Sequence, residues 1–425
     1  MIRKMKDSGV EWIGIIPDGW NVGRLGAVLA DRNESNNPVK TDVILSLTND
    51  RGVILYADKG NQGNKSKDDI TQYKLAYPND IVLNSMNVVI GSVGLSPYFG
   101  AVSPVYYMLY PRNDKTTSIR FFDYIFQTTA FQQSLRGYGN GIMEIRMRIQ
   151  MQKLKTVMLA YPSKEEQERI VRILDAKCAA IDDVIAKTNE SIEEYKKLKQ
   201  AVITEAVTKG VRGKRPMKDS GSVWFGKIPS DWNMVKFKHI IHIRKDIAGT
   251  EGYTVLSITQ RGIIPKDLSK NEGQLASDYS NYQLVDVGDF AMNHMDLLTG
   301  WVDISKYNGV TSPDYRVFAL NDSKVSCAKY YLYLVQMCYI DRIFYSLGQG
   351  VSGFGRWRLP ADQFLNFMVA VPSYNEQKEI AECIERKCAA IDTLISKKQQ
   401  FIDELTAYKK SLIYEYVTGK KEVPA

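Results

Sequence analysis

Eleven basic side chains stand in polar, glycine-rich stretches where a ligand could meet them. They are Arg51, Lys65, Lys67, Arg136, Arg146 and Arg148 in the first half, and Arg261, Lys266, Lys270, Arg356 and Arg358 in the second. A guanidinium can bridge two acceptors on the edge of guanine, whereas an ammonium mostly meets phosphate. "MEIRMRI" and "GFGRWRL" align, Arg146 with Arg356 and Arg148 with Arg358, so these pairs could equally be scaffold arginines held by carboxylates. Three roles stay open for each of the eleven: base contact, phosphate contact, or structure.

Other chemistry is hard to find. "GQGVSG" at Gly348 to Gly353 matches a dinucleotide fingerprint, but it follows a helix-like stretch and leads into "FGRWRL" instead of a helix. "GNQGNKS" at Gly60 to Ser66 has Asn64 where a phosphate loop needs glycine before its lysine. No GxSxG or HExxH motif occurs, and no set of carboxylates stands out from scattered surface charge. His239 and His242 form an HxxH without cysteine or carboxylate neighbours, so a strand pair is expected there and no metal. Cys178, Cys327, Cys338, Cys383 and Cys388 contain no CxxC pair, and their odd number argues against a disulfide framework. The pattern is that of a binder, not of an enzyme.

The elements that would position the loops come in duplicate. "MKDSGVEWIGIIPDGWN" from Met5 is answered by "MKDSGSVWFGKIPSDWN" from Met217, at an offset of 212 residues. "PSKEEQERIVRILDAKCAAIDDVIAK" from Pro162 is answered by "PSYNEQKEIAECIERKCAAIDTLISK" from Pro372, at an offset of 210. Two matches in the same order at nearly the same offset mark duplication of a whole unit. Trp12, Trp20, Trp224 and Trp232 are expected to bury where helix and domain meet.

From Ile170 an apolar seam runs through Leu174, Cys178, Ile181, Ile185, Thr188, Ile192, Tyr195, Leu198, Val202 and Ala206. Its steps of three and four are those of a coiled coil. The second copy gives Ile380, Ile384, Cys388, Ile391, Ile395, Lys398, Ile402, Leu405, Tyr408, Leu412 and Tyr416, with Lys398 a foreign residue that should loosen its layer. Ser163 and Ser373 read as N-caps, with Glu166 and Gln377 in the first turns. Two such helices pair most economically antiparallel about a pseudo-twofold axis; the alternative is that each folds back on its own domain.

The expected division is therefore a first domain over residues 5–162, a long helix over 163–210, a second domain over 217–372 and a second helix over 373–420. The fold class is α+β: two mixed α/β domains joined by two long antiparallel coiled-coil helices in a tandem repeat. Each domain offers short strands such as "DVILSL", "DIVLNSM" and "VYYMLY" and one aromatic helix, "SIRFFDYIFQTTAFQQSL" or "AKYYLYLVQMCYIDRIFYSL".

The 425 residues exceed what one core usually serves, and 44% hydrophobic with 24% charged residues is ordinary for globular chains. No apolar run is long enough for a membrane span and no signal core opens the sequence, so a cytoplasmic protein is expected. The net charge is +8, yet residues 163–210 hold 9 basic against 10 acidic side chains and residues 373–420 hold 8 against 8. The basic excess therefore belongs to the other segments, and a positive surface there favours phosphate backbones. A bivalent scaffold for peptides or sugars would call for neutral or acidic end domains, and a free-standing nuclease or methyltransferase for catalytic motifs.

The two "MKDSG" stretches, "GSVGLSPYFGAVSP" and the two helix starts resemble the specificity subunits of Type I restriction-modification systems, and the resemblance runs over essentially the whole chain. It implies a non-catalytic DNA-reading subunit in which each domain reads one half of a bipartite double-stranded site. It implies that the helices, through Ile170, Leu174, Ile181, Ile185, Ile192, Ile380, Ile384, Ile391, Ile395 and Ile402, space the domains and dock modification subunits, two in number. Those partners would hold S-adenosylmethionine, and restriction subunits would use ATP and Mg; this chain would carry no cofactor. The repeated words would then be two equivalent junctions, the first copy packing near "YVTGKKEVPA" at the end of the second helix.

Overall fold

The structure, a computed structural model, describes residues 3–49, 51–60, 69–86, 91–140, 148–267, 278–350 and 357–423. It divides into two compact units, Met1–Thr188 with Gln399–Ala425, and Asn189–Lys398. Each unit thus holds one mixed domain and a stretch of both long helices.

The first unit is built on a four-stranded antiparallel sheet in the order Leu29–Arg32, Tyr106–Pro111, Ile81–Asn84, Val93–Leu95. The second repeats it with Ile241–Arg244, Arg316–Leu320, Phe290–Met292 and Val302–Ile304. The register is repeated as well: Met108 faces Arg32 and Val82, and Val317 faces Arg244 and Ala291. Because strand side chains alternate between faces, Ile81, Leu83 and Leu109 join the main core, while Val82 and Met108 join a smaller one with Leu45, Val53 and Val102. Ile81, Val82 and Leu83 are all fully buried, which explains why this inner strand reads as a continuous apolar run.

Each aromatic stretch forms a broken helix where a single one was expected. In the first unit Ile119–Gln127 stops at Thr128, whose backbone turns extended and whose hydroxyl accepts from Phe131 N at 3.4 Å to start Thr129–Ser134. In the second, Ala328–Ile340 stops before Arg342, which adopts a left-handed φ of 55° and leads into Ile343–Ser346. A capping threonine and a left-handed residue end helices that aromatic periodicity would have run together.

The long helices span Lys164–Lys209 and Tyr374–Val417, with Ser163 Oγ accepting from Glu166 N at 3.5 Å at the first start. Glu166 does not reach back to close a capping box. Its carboxylate accepts instead from Trp20 Nε1 at 3.2 Å and Arg3 Nη2 at 2.5 Å. Gln167 and Gln377, both essentially buried, each donate to the proline carbonyl five residues back and accept from the backbone before the aromatic helix, Ser118 N and Cys327 N, both at 2.8 Å.

Within each unit the two helix segments run antiparallel. In the first, Gly419 packs on Trp20, the partner of Glu166, while Asp182 pairs with Lys409 at 2.6 Å. In the second, Gly210 lies beside Glu376 and Trp232, while Lys199 pairs with Asp392 at 2.7 Å. These exposed ion pairs contribute about 0–1 kcal/mol each, whereas each fully buried Leu or Ile contributes about 1.5–3 kcal/mol. The seam therefore sets the pairing. Ile170, Leu174, Cys178 and Ile181 pack in one cluster with Leu412, Ile413, Tyr416 and Val417, and Ile380, Ile384 and Cys388 pack with Ile203, Ala206 and Val207.

The seam departs from its expected course at the helix ends. Leu198 and Tyr408, placed in it by spacing, are 49% and 51% exposed. Beyond them the buried stripe widens to take in Ile203 and Ile413 beside the expected Ala206, Leu412 and Tyr416, because the last turns face the domain core as well as the other helix. Lys398 does not open its layer: its ammonium stands 5.6 Å from the centre of the Tyr195 ring, a contact that lets a half-buried cation keep a favourable partner.

Candidate nucleic-acid interface

The repeated words build two matching clamps. Arg3, Trp20 and Glu166 in the first unit correspond to Arg215, Trp232 and Glu376 in the second, where Arg215 Nη2 meets Glu376 Oε1 at 2.5 Å and its guanidinium lies 5.3 Å from the Trp232 ring centre. Tyr414 Oη donates to Trp12 O and Lys420 Nζ to Ile13 O, so the first "MKDSG" stretch packs at the end of the second helix. Gly419 and Gly210 close the clamps. Both have left-handed φ, and a Cβ on either would lie 3.1 Å from the tryptophan ring. Trp20 and Trp232 are buried and Trp12 half-buried against Phe131. Trp224, expected to bury, is 39% exposed; Phe225 beside it takes the core position.

One basic concavity of the first unit is a cleft of about 580 Å³ lined by Asp31, Arg32, Lys74, Tyr107, Arg148 and Lys155 among others. Two of its cations are neutralised: Arg32 by Asp80 at 2.9 Å and Lys155 by Asp31 at 2.5 Å. The other two are not. Among the described residues Lys74 donates to the carbonyl of Tyr106 at 3.3 Å; burial holds its ammonium below the usual lysine range, with Asp31 opposing the shift and Arg148 adding to it. Arg148 is exposed and makes no ion pair among the described residues. Two positive charges with no carboxylate bonded to them, in a wall whose Asp31 is already paired with Lys155, favour an anion such as phosphate.

The equivalent wall of the second unit is different. Gln283 stands for Lys74, Leu365 for Lys155 and Ile243 for Asp31, while Arg244 is held by Asp246, Asp286 and Asp289. Arg358 keeps the place of Arg148, exposed and likewise without an ion pair among the described residues. Among the described residues no carboxylate holds this aligned pair.

The other expected contacts lie apart. Arg51 and Arg261 occupy the tight turns Thr48 to Gly52 and Thr259 to Gly262, where each backbone N–H donates to the threonine hydroxyl at 3.1 Å. Arg51 lines a second cleft of about 700 Å³ with Arg120, Asp123, Lys409 and Lys410. Arg136 is exposed in the turn Leu135–Tyr138, and Lys266 is half-buried after Gly262–Pro265. Lys65, Lys67, Arg146, Lys270 and Arg356 lie outside the described residues. Sequence reasoning missed Lys74 and Arg32, because a cation inside a strand carries no loop signal. It also missed Arg3 and Arg215, although each stands two residues before a repeated "MKDSG".

The seam residues assigned to docking are interior. Ile170, Leu174, Ile181, Ile192, Ile380, Ile384, Ile391 and Ile402 are buried, and Ile185 and Ile395 half-buried. The exposed large apolar positions of the helices are Val184 and Leu394, and Leu198 and Tyr408, each pair related by the repeat offset, and Phe401, which has Ser191 as its counterpart. Among the described residues there is no group of three metal-binding side chains and no helix long and apolar enough to cross a membrane.

A duplicated α+β module on paired long helices defines a tandem-repeat protein. Residues 17–194 match the family described as Type I restriction modification DNA specificity domain, and the chain is similar to Type I restriction-modification specificity subunits. It is 26% identical over 318 residues to the Type I restriction enzyme MjaVIII specificity subunit of Methanocaldococcus jannaschii, covering 71% of this chain and 70% of that one. It is 23% identical over 352 residues to the putative type I restriction enzyme MjaX specificity subunit of the same organism, covering 81% and 73%. Two solved structures share the fold at 14% identity. One is a chain from a study of complex assembly and conformational transition of the type I R-M system, with a TM-score of 0.68 over 96% of this chain and 99% of that one. The other is the HsdS subunit from Thermoanaerobacter tengcongensis, with a TM-score of 0.51 over 96% and 98%.

Proposed function

We propose that this chain reads a bipartite double-stranded DNA site, one half with each domain, and contributes no catalytic group itself. The carrying observation is the contrast between the units: one strand order and register, but Lys74, Lys155 and Asp31 in the first wall against Gln283, Leu365 and Ile243 in the second. A shared scaffold with differently charged walls suits two readers of different half-sites. The helices space the readers and dock two modification subunits through Val184 with Tyr408 in one unit and Leu198 with Leu394 in the other. Those subunits hold S-adenosylmethionine, and restriction subunits with ATP and Mg join them.

The test is an exchange of residues 217–372 for the equivalent domain of a relative, followed by methylome sequencing with co-expressed modification subunits. The expected result is new letters in one half-site and unchanged letters in the other. A change in both, or in neither, refutes independent readers.

A further inference from the structure

One position of the shared scaffold carries a charge that the scaffold does not need. In the first unit Tyr107, on the second strand of the sheet, donates its hydroxyl to Ile149 O at 3.1 Å, and Ile149 N donates to Ser85 O at 3.0 Å. In the second unit the register places Arg316 at the same point. Its Nη2 donates to Leu359 O at 2.8 Å, and Leu359 N donates to His294 O at 2.9 Å. A neutral phenol and a guanidinium thus perform the same structural task.

The arginine does so at a cost. Arg316 is 6% exposed, its Nη1 is buried without a hydrogen-bond partner, and it forms no ion pair among the described residues; its guanidinium lies 5.1 Å from the Phe364 ring centre, and Tyr339 and Asp362 partly offset its burial. Burial brings it down to about 10, from a group that is otherwise always charged. His294 beside it also has a buried nitrogen, Nδ1, without a partner, and burial together with Arg316 and Arg358 lowers it to about 4. The histidine is therefore neutral at neutral pH. The cluster holds two guanidinium groups, Arg316 and Arg358, and no carboxylate bonded to either. A buried unpaired cation is expensive, and a buried donor without a partner calls for an explanation.

We propose that Arg316 is kept unpaired for a hydrogen-bond acceptor of DNA, so that it is a recognition residue of the second domain, with Tyr107 in the corresponding seat of the first. This rests on the DNA-reading function above. Two DNA groups share the required chemistry, the acceptor edge of guanine and a phosphate oxygen, and they leave different signatures. Loss of a base contact relaxes discrimination at one base pair, whereas loss of a phosphate contact weakens all sequences alike and lowers the log–log salt slope by about 0.9.

The test uses the full chain assembled with its modification subunits, on the DNA site that methylome sequencing of the unaltered complex defines. Arg316→Tyr installs the residue that the first unit already tolerates. Arg316→Gln removes the charge, leaves an amide for Leu359 O, and decides the matter if the tyrosine variant does not assemble. The expected result is either about tenfold weaker discrimination at one base pair of one half-site, or a slope reduced by about 0.9 with no letter changed. Unchanged discrimination and slope in an assembled variant overturn the proposal. A flat salt dependence of the unaltered complex between roughly 50 and 200 mM overturns the DNA reading itself, and with it this assignment.

Discussion

The two clamps share an arginine–glutamate pair beside a tryptophan at different depths, although only Trp20 donates to its glutamate, so the same mutation should cost different amounts in each. Glu376 is 1% exposed and Arg215 13%, whereas Glu166 is 16% exposed and Arg3 27%. Removing one partner of a buried pair leaves a stranded charge and costs about 3–5 kcal/mol; a surface pair is worth about 0–1 kcal/mol. Glu376→Gln leaves Arg215 beside Trp232 with only the more exposed Asp231 at 3.7 Å, and Arg212 is a further 3.7 Å neighbour of the lost carboxylate, so it should cost about 3 kcal/mol. Glu166→Gln, at a half-open site, should cost roughly 1–2 kcal/mol, between the buried and exposed cases. For units of this size about 3 kcal/mol corresponds to a fall of roughly 6–12 °C in melting temperature. Hydrogen exchange read by mass spectrometry reports each unit separately and supplies the assay. The double variant Arg215→Met with Glu376→Leu tells a stranded charge from a lost contact, because replacing both members with apolar groups is often nearly neutral. The reasoning fails if Glu376→Gln is no more costly than Glu166→Gln, or if the double variant is as unstable as the single one.

Two further outcomes follow from single sites. Asp123 is buried, and burial pushes its carboxyl up to about 7 from 3.8. The folded state therefore resists its ionisation, and stability is lost as pH rises from about 4 to about 7. Asp123→Asn should match the unaltered protein below pH 4 and exceed it above pH 7, by at most roughly 4 kcal/mol at about 1.36 kcal/mol per pKa unit; urea titrations that show no widening gap would refute this. Gly419→Ala meets both a left-handed φ of 71° and the Pro17 and Trp20 rings, whereas Gly9→Ala at φ 66° has nothing within 4 Å. The first should cost roughly 2–4 kcal/mol and the second about 1 kcal/mol in urea midpoints, and equal costs would mean that the ring contacts are not tight.

The duplication and the long helices were legible because they rest on local signals: two long matches at one offset, a 3.5-residue seam, and serine before acidic first turns. The seam misled where the helix changes neighbours, since Leu198 and Tyr408 keep the spacing but face out. Strand order was not legible, because short strands say which face is apolar but not which strand lies beside which. Nor was the basic wall. Lys74 and Arg148 lie far apart in sequence and meet only because the chain folds. Arg3 and Arg215 could have been found, since the repeat extends two residues further back than the shared word, but a lone arginine before a motif does not announce a tryptophan and a glutamate at the far end of a domain.

The way the units divide the chain also orders their assembly during synthesis. The second unit is one uninterrupted run, Asn189–Lys398, and has every residue it needs once that run has left the ribosome. The first needs Gln399–Ala425 to complete its core. Until Leu412, Ile413, Tyr416 and Val417 are made, the stripe from Ile170 to Ile181 has no lid from the second helix, even though the domain beside it was translated first. The earlier-made half is thus the later to finish, and for the time it takes to translate more than half the chain its open apolar stripe is the surface at greatest risk of mispairing.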